Sequence, residues 1–154
     1  MKTLVIVFAV IIIILLGVLF FYNPAKAPPL PPHNTIVSEG KLPPAVSADG
    51  RLAVVSLHAG DLVASPLTVT GTVTGGGWFF EASFPVKVLD GSGAVIGHGI
   101  AQAQADWMST SSVPFTAIVQ FSAPSATGTV VFSKDNPSGL PKNNMSLSIP
   151  VRFK

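Results

Sequence analysis

Beyond residue 50 apolar and polar side chains alternate one by one, in short runs separated by glycine, proline, aspartate and asparagine. Leu67, Val69, Gly71 and Val73 alternate with Thr68, Thr70 and Thr72, which in an extended chain gives one core face and one hydroxyl face. Leu52, Val54 and Ser56 alternate with Ala53, Val55 and Leu57, and Leu147, Ile149, Val151 and Phe153 with Ser146, Ser148, Pro150 and Arg152. From Trp78 the even positions Trp78, Phe80, Ala82, Phe84, Val86 and Val88 are apolar, while Glu81, Ser83 and Lys87 fall among the odd ones; the even face is expected in the core. Asp90-Gly91-Ser92-Gly93 offers residues that tolerate the positive φ of a tight hairpin, so Ala94 to Ile100 is the expected partner strand, with Phe115 to Phe121 and Thr129 to Ser133 as further strands. No stretch after residue 50 carries a helical stripe. Roughly seven short strands between turn residues predict an all-β domain over 51–154, an antiparallel immunoglobulin-like β-sandwich with a small barrel as the alternative. Pro85 and Pro150 lie on the outward parity of their strands and, lacking an N–H for the ladder, mark an edge or a bulge.

Two different patterns precede this one. Leu4 to Tyr22 is a run of 19 residues without a charge, and a helix of that length, about 28 Å, matches the hydrocarbon core of a bilayer. It predicts one N-terminal transmembrane helix, a membrane anchor or uncleaved signal over 1–22. A cleaved signal peptide competes, supported by Lys2 ahead of the run and by Ala25-Lys26-Ala27, which has the form of a cleavage site. Against cleavage, the apolar run is longer than a usual signal core, and Pro28 would directly follow the cut. Lys2 and the amino terminus place positive charge before the span, favouring a cytoplasmic N-terminus and an exported domain. Residues 23–50 contain seven prolines among 28 residues and show neither period; they read as a proline-rich linker, extended in its first half.

Charge narrows the partners. Lys, Arg, Asp and Glu make up 10% of the 154 residues, well below the usual quarter or so, and from Arg51 onward six cations face five acids without a cluster. A phosphate backbone would find no basic footprint here, so no nucleic-acid partner is expected. With no cysteine, disulfides, thiolate metal sites and a cysteine nucleophile are excluded. His58, Asp61 and Ser65 stand close in sequence, but no nucleophile elbow surrounds the serine, so a solvated loop is the reading adopted over a triad. His33 and His98 stand apart from one another, and neither Asp90-Gly91-Ser92-Gly93 nor Asp135-Asn136-Pro137-Ser138-Gly139 follows a full calcium loop; both read as turns. Gly75-Gly76-Gly77 has no following lysine or helix and is not a phosphate loop. The expectation is therefore no catalytic residue, no metal, no cofactor and no enzymatic activity, with a monomeric domain.

Several ordered motifs, Ser65-Pro66-Leu67-Thr68-Val69-Thr70-Gly71-Thr72, Trp78-Phe79-Phe80-Glu81-Ala82-Ser83-Phe84-Pro85-Val86, Ala105-Asp106-Trp107 and Lys134-Asp135-Asn136-Pro137-Ser138-Gly139, resemble the Gmad2 family, the immunoglobulin-like domain named for bacterial spore-germination proteins. The resemblance covers about residues 52–153 and implies an extracytoplasmic bacterial β-sandwich of the cell envelope, with no catalytic or ligand residues to carry across. With the apolar run Leu4 to Tyr22 as anchor, the expectation is a single-pass protein of the bacterial cell membrane with its domain on the extracytoplasmic side, and the resemblance implies a role related to sporulation or germination.

One local feature points to a partner. In Trp78-Phe79-Phe80-Glu81 consecutive aromatics force one parity away from the core, and Phe79 with Glu81 is the outward pair; the alternative is that the protein's own loops cover them. Phe79, Glu81, Trp107, Lys134, Asp135 and Asn136 are the candidate binding residues, expected near one another. The expected function is a membrane-tethered binding or scaffold module whose partner is an unidentified envelope protein or a glycan. A carbohydrate-binding module, which needs exposed aromatics in a row, and an envelope hydrolase are the alternatives.

Overall fold

The computed structural model describes residues 42–154. The Leu4 to Tyr22 span and residues 23–41 of the proline-rich segment lie outside the described residues; among those described, no helix is long and apolar enough to cross a membrane. Nine strands follow one another: β1 (Ala45–Val46), β2 (Leu52–Val54), β3 (Leu62–Val63), β4 (Leu67–Thr74), β5 (Ser83–Asp90), β6 (Val95–Ala103), β7 (Ser112–Phe121), β8 (Thr127–Ser133) and β9 (Ser146–Phe153), with one 3-10 turn at Pro141–Asn143. The all-β reading holds. Alternation carries it as expected: Val69, Gly71 and Val73 of β4 are buried between exposed Thr68 and Thr70 and half-buried Thr72, and Ile149, Val151 and Phe153 of β9 are buried between exposed Ser148, Pro150 and Arg152.

The strands form one continuous sheet in the order β1-β2-β4-β7-β6-β5-β8-β9-β3, antiparallel throughout except where β3 runs parallel to β9. Its two ends, β1 and β3, do not pair with each other, so no barrel closes. The sheet folds over on itself instead. Phe115 on β7 and Phe132 on β8 have β6 and β5 between them in the ladder, yet their rings are 6.4 Å apart. Phe121 on β7 and Phe153 on β9 approach to 5.2 Å. Two layers thus face each other, joined through the β5–β6 hairpin, and the core between them is filled by Trp78, Phe84, Phe115 and Phe132. The hairpin carries a register shift between Val88 and Leu89, the kind of irregularity that sharpens sheet bending. Gly71 lets β4 come close at this point: a Cβ there would stand 2.2 Å from the Ala53 carbonyl and 2.7 Å from the Phe115 ring.

Both prolines sit where a donor is dispensable. Pro150 lies on the outer edge of β9, and Pro85 precedes Val86, where the β5–β8 ladder begins. The domain also begins earlier than period 2 showed. β1 lies within the stretch assigned to the linker and pairs with β2, Ala45 against Val54 and Val46 against Ala53. A tight turn joins the two, with the Ser47 hydroxyl accepting from the Leu52 N–H at 3.0 Å.

One part of the expected pattern fails. β5 starts at Ser83, and Phe80 to Ser83 form a two-residue hairpin turn, Phe80 N–H to Ser83 carbonyl at 2.9 Å and Ser83 N–H to Phe80 carbonyl at 3.1 Å. Glu81 and Ala82 at its tip both have positive φ, 49° and 63°, the pairing a type I′ turn requires. The turn breaks the two-residue period, so Phe79 rather than Phe80 goes inside: Phe79 is 6% exposed and Phe80 43%. Glu81 is therefore a turn tip and not a mid-strand acid. A left-handed conformation costs a non-glycine residue about 1–2 kcal/mol. Ala82→Gly is accordingly expected to raise stability by about 1 kcal/mol, read as a melting temperature higher by several degrees; an unchanged or lowered value would refute strain at this tip.

Candidate functional site: the loop pole

Because successive strands from β4 to β9 run in alternating directions, the connections 75–82, 104–111 and 134–145 all emerge at one end of the fold, here the upper pole. Backbone bonds tie them together. The Gly75 N–H donates to the Ser111 carbonyl at 3.4 Å, the Ala103 N–H to Ala82 at 2.8 Å, and the Asp135 N–H to Trp78 at 3.1 Å. Gly76, at φ 65°, lies against the Trp107 carbonyl, 2.7 Å from where a Cβ would stand. Only glycine fits that contact and that φ together.

The turn between β1 and β2 reaches the same pole. Trp78 is fully buried, and its indole Nε1–H donates to Asp49, 3.1 Å from Oδ2 and 3.4 Å from Oδ1. The Ser47 hydroxyl and the Arg51 N–H also donate to Asp49 Oδ1, at 2.5 and 3.1 Å. Burial pushes the Asp49 carboxyl up, but these hydrogen bonds and the positive charge of Arg51 outweigh it and hold the group below the ordinary carboxylate range. Asp49 escaped the sequence reading because it lies in the proline-rich segment, 29 positions before its partner. The signal available was the turn sequence Ser47-Ala48-Asp49-Gly50 immediately ahead of the first alternating run.

The six candidate binding residues all lie on these loops, in different settings. Phe79 is buried, its ring 5.4 Å from that of Phe84, which corrects the outward reading and agrees with cover by the protein itself. Glu81 is exposed at the turn tip. Trp107 is half-buried and packs against the core. Lys134 and Asp135 are half-exposed and begin the third loop. Asn136 organises that loop: its Nδ2 donates to the Leu140 carbonyl at 2.9 Å and to Asn144 Oδ1 at 2.7 Å, while its Oδ1 accepts from the Ser138 hydroxyl at 2.5 Å. The pole also carries three apolar side chains that the periodicity did not single out as surface, one per loop: Phe80 at 43% exposure, Met108 at 73% and Leu140 at 49%.

The family model of Gmad2, the immunoglobulin-like domain of bacterial spore germination, matches residues 52–140. The chain belongs to the Gmad2 family. No curated protein and no solved structure matches it. The stretch matched to Gmad2 runs from β2 to the middle of the third loop, whereas the folded sheet of this Gmad2 domain extends outward on both sides, to β1 and to β9.

At the lower pole several polar side chains are engaged by backbone groups. Asp61 Oδ2 accepts from the His58 N–H at 2.8 Å and lies 3.6 Å from His58 Nδ1, and the Ser65 hydroxyl accepts from the Phe121 N–H at 2.9 Å. Asp90 accepts from the Ser92 N–H, the Ser92 hydroxyl and the Ala94 N–H at 2.6–2.9 Å. The bond from the Ser92 hydroxyl, followed by those from backbone N–H groups, holds its carboxyl below the ordinary value. The Asp90 contacts are those of a turn, as expected; the stretch from His58 to Ser65, read as a solvated loop, instead contains β3 with Val63 buried, and Ser65 is bonded to β7.

Proposed function

We propose that this Gmad2 domain is a binding or scaffold module of the bacterial cell envelope, tethered outside the cytoplasmic membrane by the segment Leu4 to Tyr22 and acting through its upper pole. The observation that carries the reading is the exposure of Phe80, Met108 and Leu140, one on each of three loops that emerge at the same pole, with the acid Glu81 next to Phe80 in the chain. Exposed apolar side chains brought together on a scaffolded set of loops are what a protein contact uses. Leu42, the first described residue, sits by its carbonyl at the lower pole, 3.1 Å from His58 Nε2, at the opposite end of the folded domain from the loops. A non-enzymatic role is supported by the way Asp49, Asp61 and Asp90 are committed to holding turns. A role in spore germination is supported by the family alone. The glycan alternative loses ground because Trp78 and Phe79 are both buried and leave no row of exposed aromatics among the described residues.

The test is photocrosslinking from the upper pole in the native envelope, comparing the natural chain with Phe80→Ser combined with Met108→Ser. Both side chains are on the surface, so stability is expected to change by no more than about 0.5 kcal/mol for each, while the crosslinked adduct in the membrane fraction is lost. Undiminished adduct with the double variant would overturn the pole as the contact site.

A further inference from the structure

The two ends of the sheet are not equally protected. β1 is two residues long and follows Pro43-Pro44, and short length and proline are the usual guards of a strand edge. On the other side β3 covers only the lower end of β9: Leu62 and Val63 pair with Arg152 and Phe153, the Arg152 N–H donates to the Asp61 carbonyl at 2.8 Å, and the Gly60 N–H donates to the Pro150 carbonyl at 2.8 Å. These bonds show which way the backbone of β9 points. Its even-numbered residues direct N–H and C=O away from β8, because the odd-numbered ones take the β8 ladder, as in Phe153 N–H to Ala126 and Lys134 N–H to Met145. Above Pro150 the outward groups are those of Ser146 and Ser148, both exposed, two donors and two acceptors with no strand beside them among the described residues. No proline, charge or bulge guards this stretch, and the two small side chains leave room for a backbone to approach.

We infer that the upper half of β9, Ser146 to Ser148, is a docking edge that takes an extended segment of a partner protein as a further strand, with a carboxylate of that segment reaching Lys134. The edge ends at an open cleft of about 440 Å³ lined by Ser133, Lys134, Asn144, Met145 and Ser146. Lys134 is the charged residue of that lining, and among the described residues it forms no salt bridge. An acidic side chain or a chain terminus therefore complements the cleft, while main-chain pairing supplies the rest of the contact. A second copy of this chain fits less well. Two-fold pairing of β9 with β9 would lay Asn144 to Pro150 of one copy along the other, and that stretch carries no acidic side chain to offer Lys134. Neither Phe80 nor Met108 lines this cleft or pairs with β9, so each surface can fail without the other.

The experiment uses the isotope-labelled full chain in detergent micelles and, as probe, an acetylated six-residue peptide of alternating valine and threonine ending in glutamate. Amide hydrogen exchange at Ser146 and Ser148 is expected to slow on adding the peptide. Ser148→Pro removes an N–H that β8 does not use, so it should keep the melting temperature and weaken peptide binding at least tenfold. Lys134→Gln should weaken binding severalfold, and Phe80→Ser with Met108→Ser should leave it unchanged. A peptide with N-methylated backbone amides, tested on the natural chain, should not bind, and this arm holds even if Ser148→Pro misfolds. Absence of protection at Ser146 and Ser148 with millimolar peptide overturns the inference. So does protection without peptide that rises with protein concentration, which would make a second copy the occupant.

Discussion

Phe84→Ala is expected to destabilise the domain by about 3–5 kcal/mol, the range for removing a fully buried aromatic, and to lower the melting temperature by well over ten degrees. Phe84 stands at the centre of the aromatic core, with ring centroids 5.1 Å from Phe115, 5.4 Å from Phe79 and 6.0 Å from Trp78, the first and last in edge-on geometry. Its loss removes three such contacts as well as buried area. Because Phe79 and Trp78 belong to the first loop of the upper pole, the cavity opens directly beneath the proposed contact surface. Chemical denaturation of the natural and altered domains measures the effect, and a loss below about 1 kcal/mol would show that Phe84 is not the keystone described.

Asp49→Asn carries the second largest effect. The buried indole N–H of Trp78 and the Ser47 hydroxyl both donate to the Asp49 carboxylate, and leaving a buried donor badly paired costs about 1–3 kcal/mol. The pH dependence has a definite sign. A carboxyl whose pKa in the folded state lies below the ordinary 3.8 adds stability that is fully present above the unfolded-state value and is lost as pH falls through the folded-state value. The natural domain should therefore lose stability below about pH 4 with a contribution from Asp49 that the asparagine variant lacks. Thermal melts between pH 2 and pH 7 check both points; parallel curves for the two proteins would remove Asp49 from the account.

Much of this fold was legible because β4 and β9 have one face packed and one wet, and the two-residue period of Val69, Gly71 and Val73 or of Ile149, Val151 and Phe153 reports that directly. β1 and β3, at two residues each, are too short to show any period. The exchange of Phe79 for Phe80 was illegible for a different reason. A type I′ turn is normally announced by Asn-Gly or Asp-Gly, and here Glu81 and Ala82 adopt it under tertiary constraint, so nothing local announced the break. The candidate residues all fall on loops of one pole, since alternating strand direction brings every second connection to one end. Which side chains are exposed there was settled by packing that links Trp78 to Asp49 across 29 positions, beyond the reach of any local pattern.

The route of the chain through β1 gives the domain a mechanical character. Between Leu42 at the lower pole and Asp49 at the upper one, the polypeptide crosses the fold as a strap, secured along β2 by the pairs of Ala45 and Val46 and finished by the clasp of Asp49 on Trp78. Tension transmitted through the residues ahead of Leu42 pulls along this strap and loads its few bonds in shear. The bonds at His58 and along β2 come before the clasp in the chain, so they bear a pull from that end first and shield the contact that fastens Trp78 and the base of the loop end.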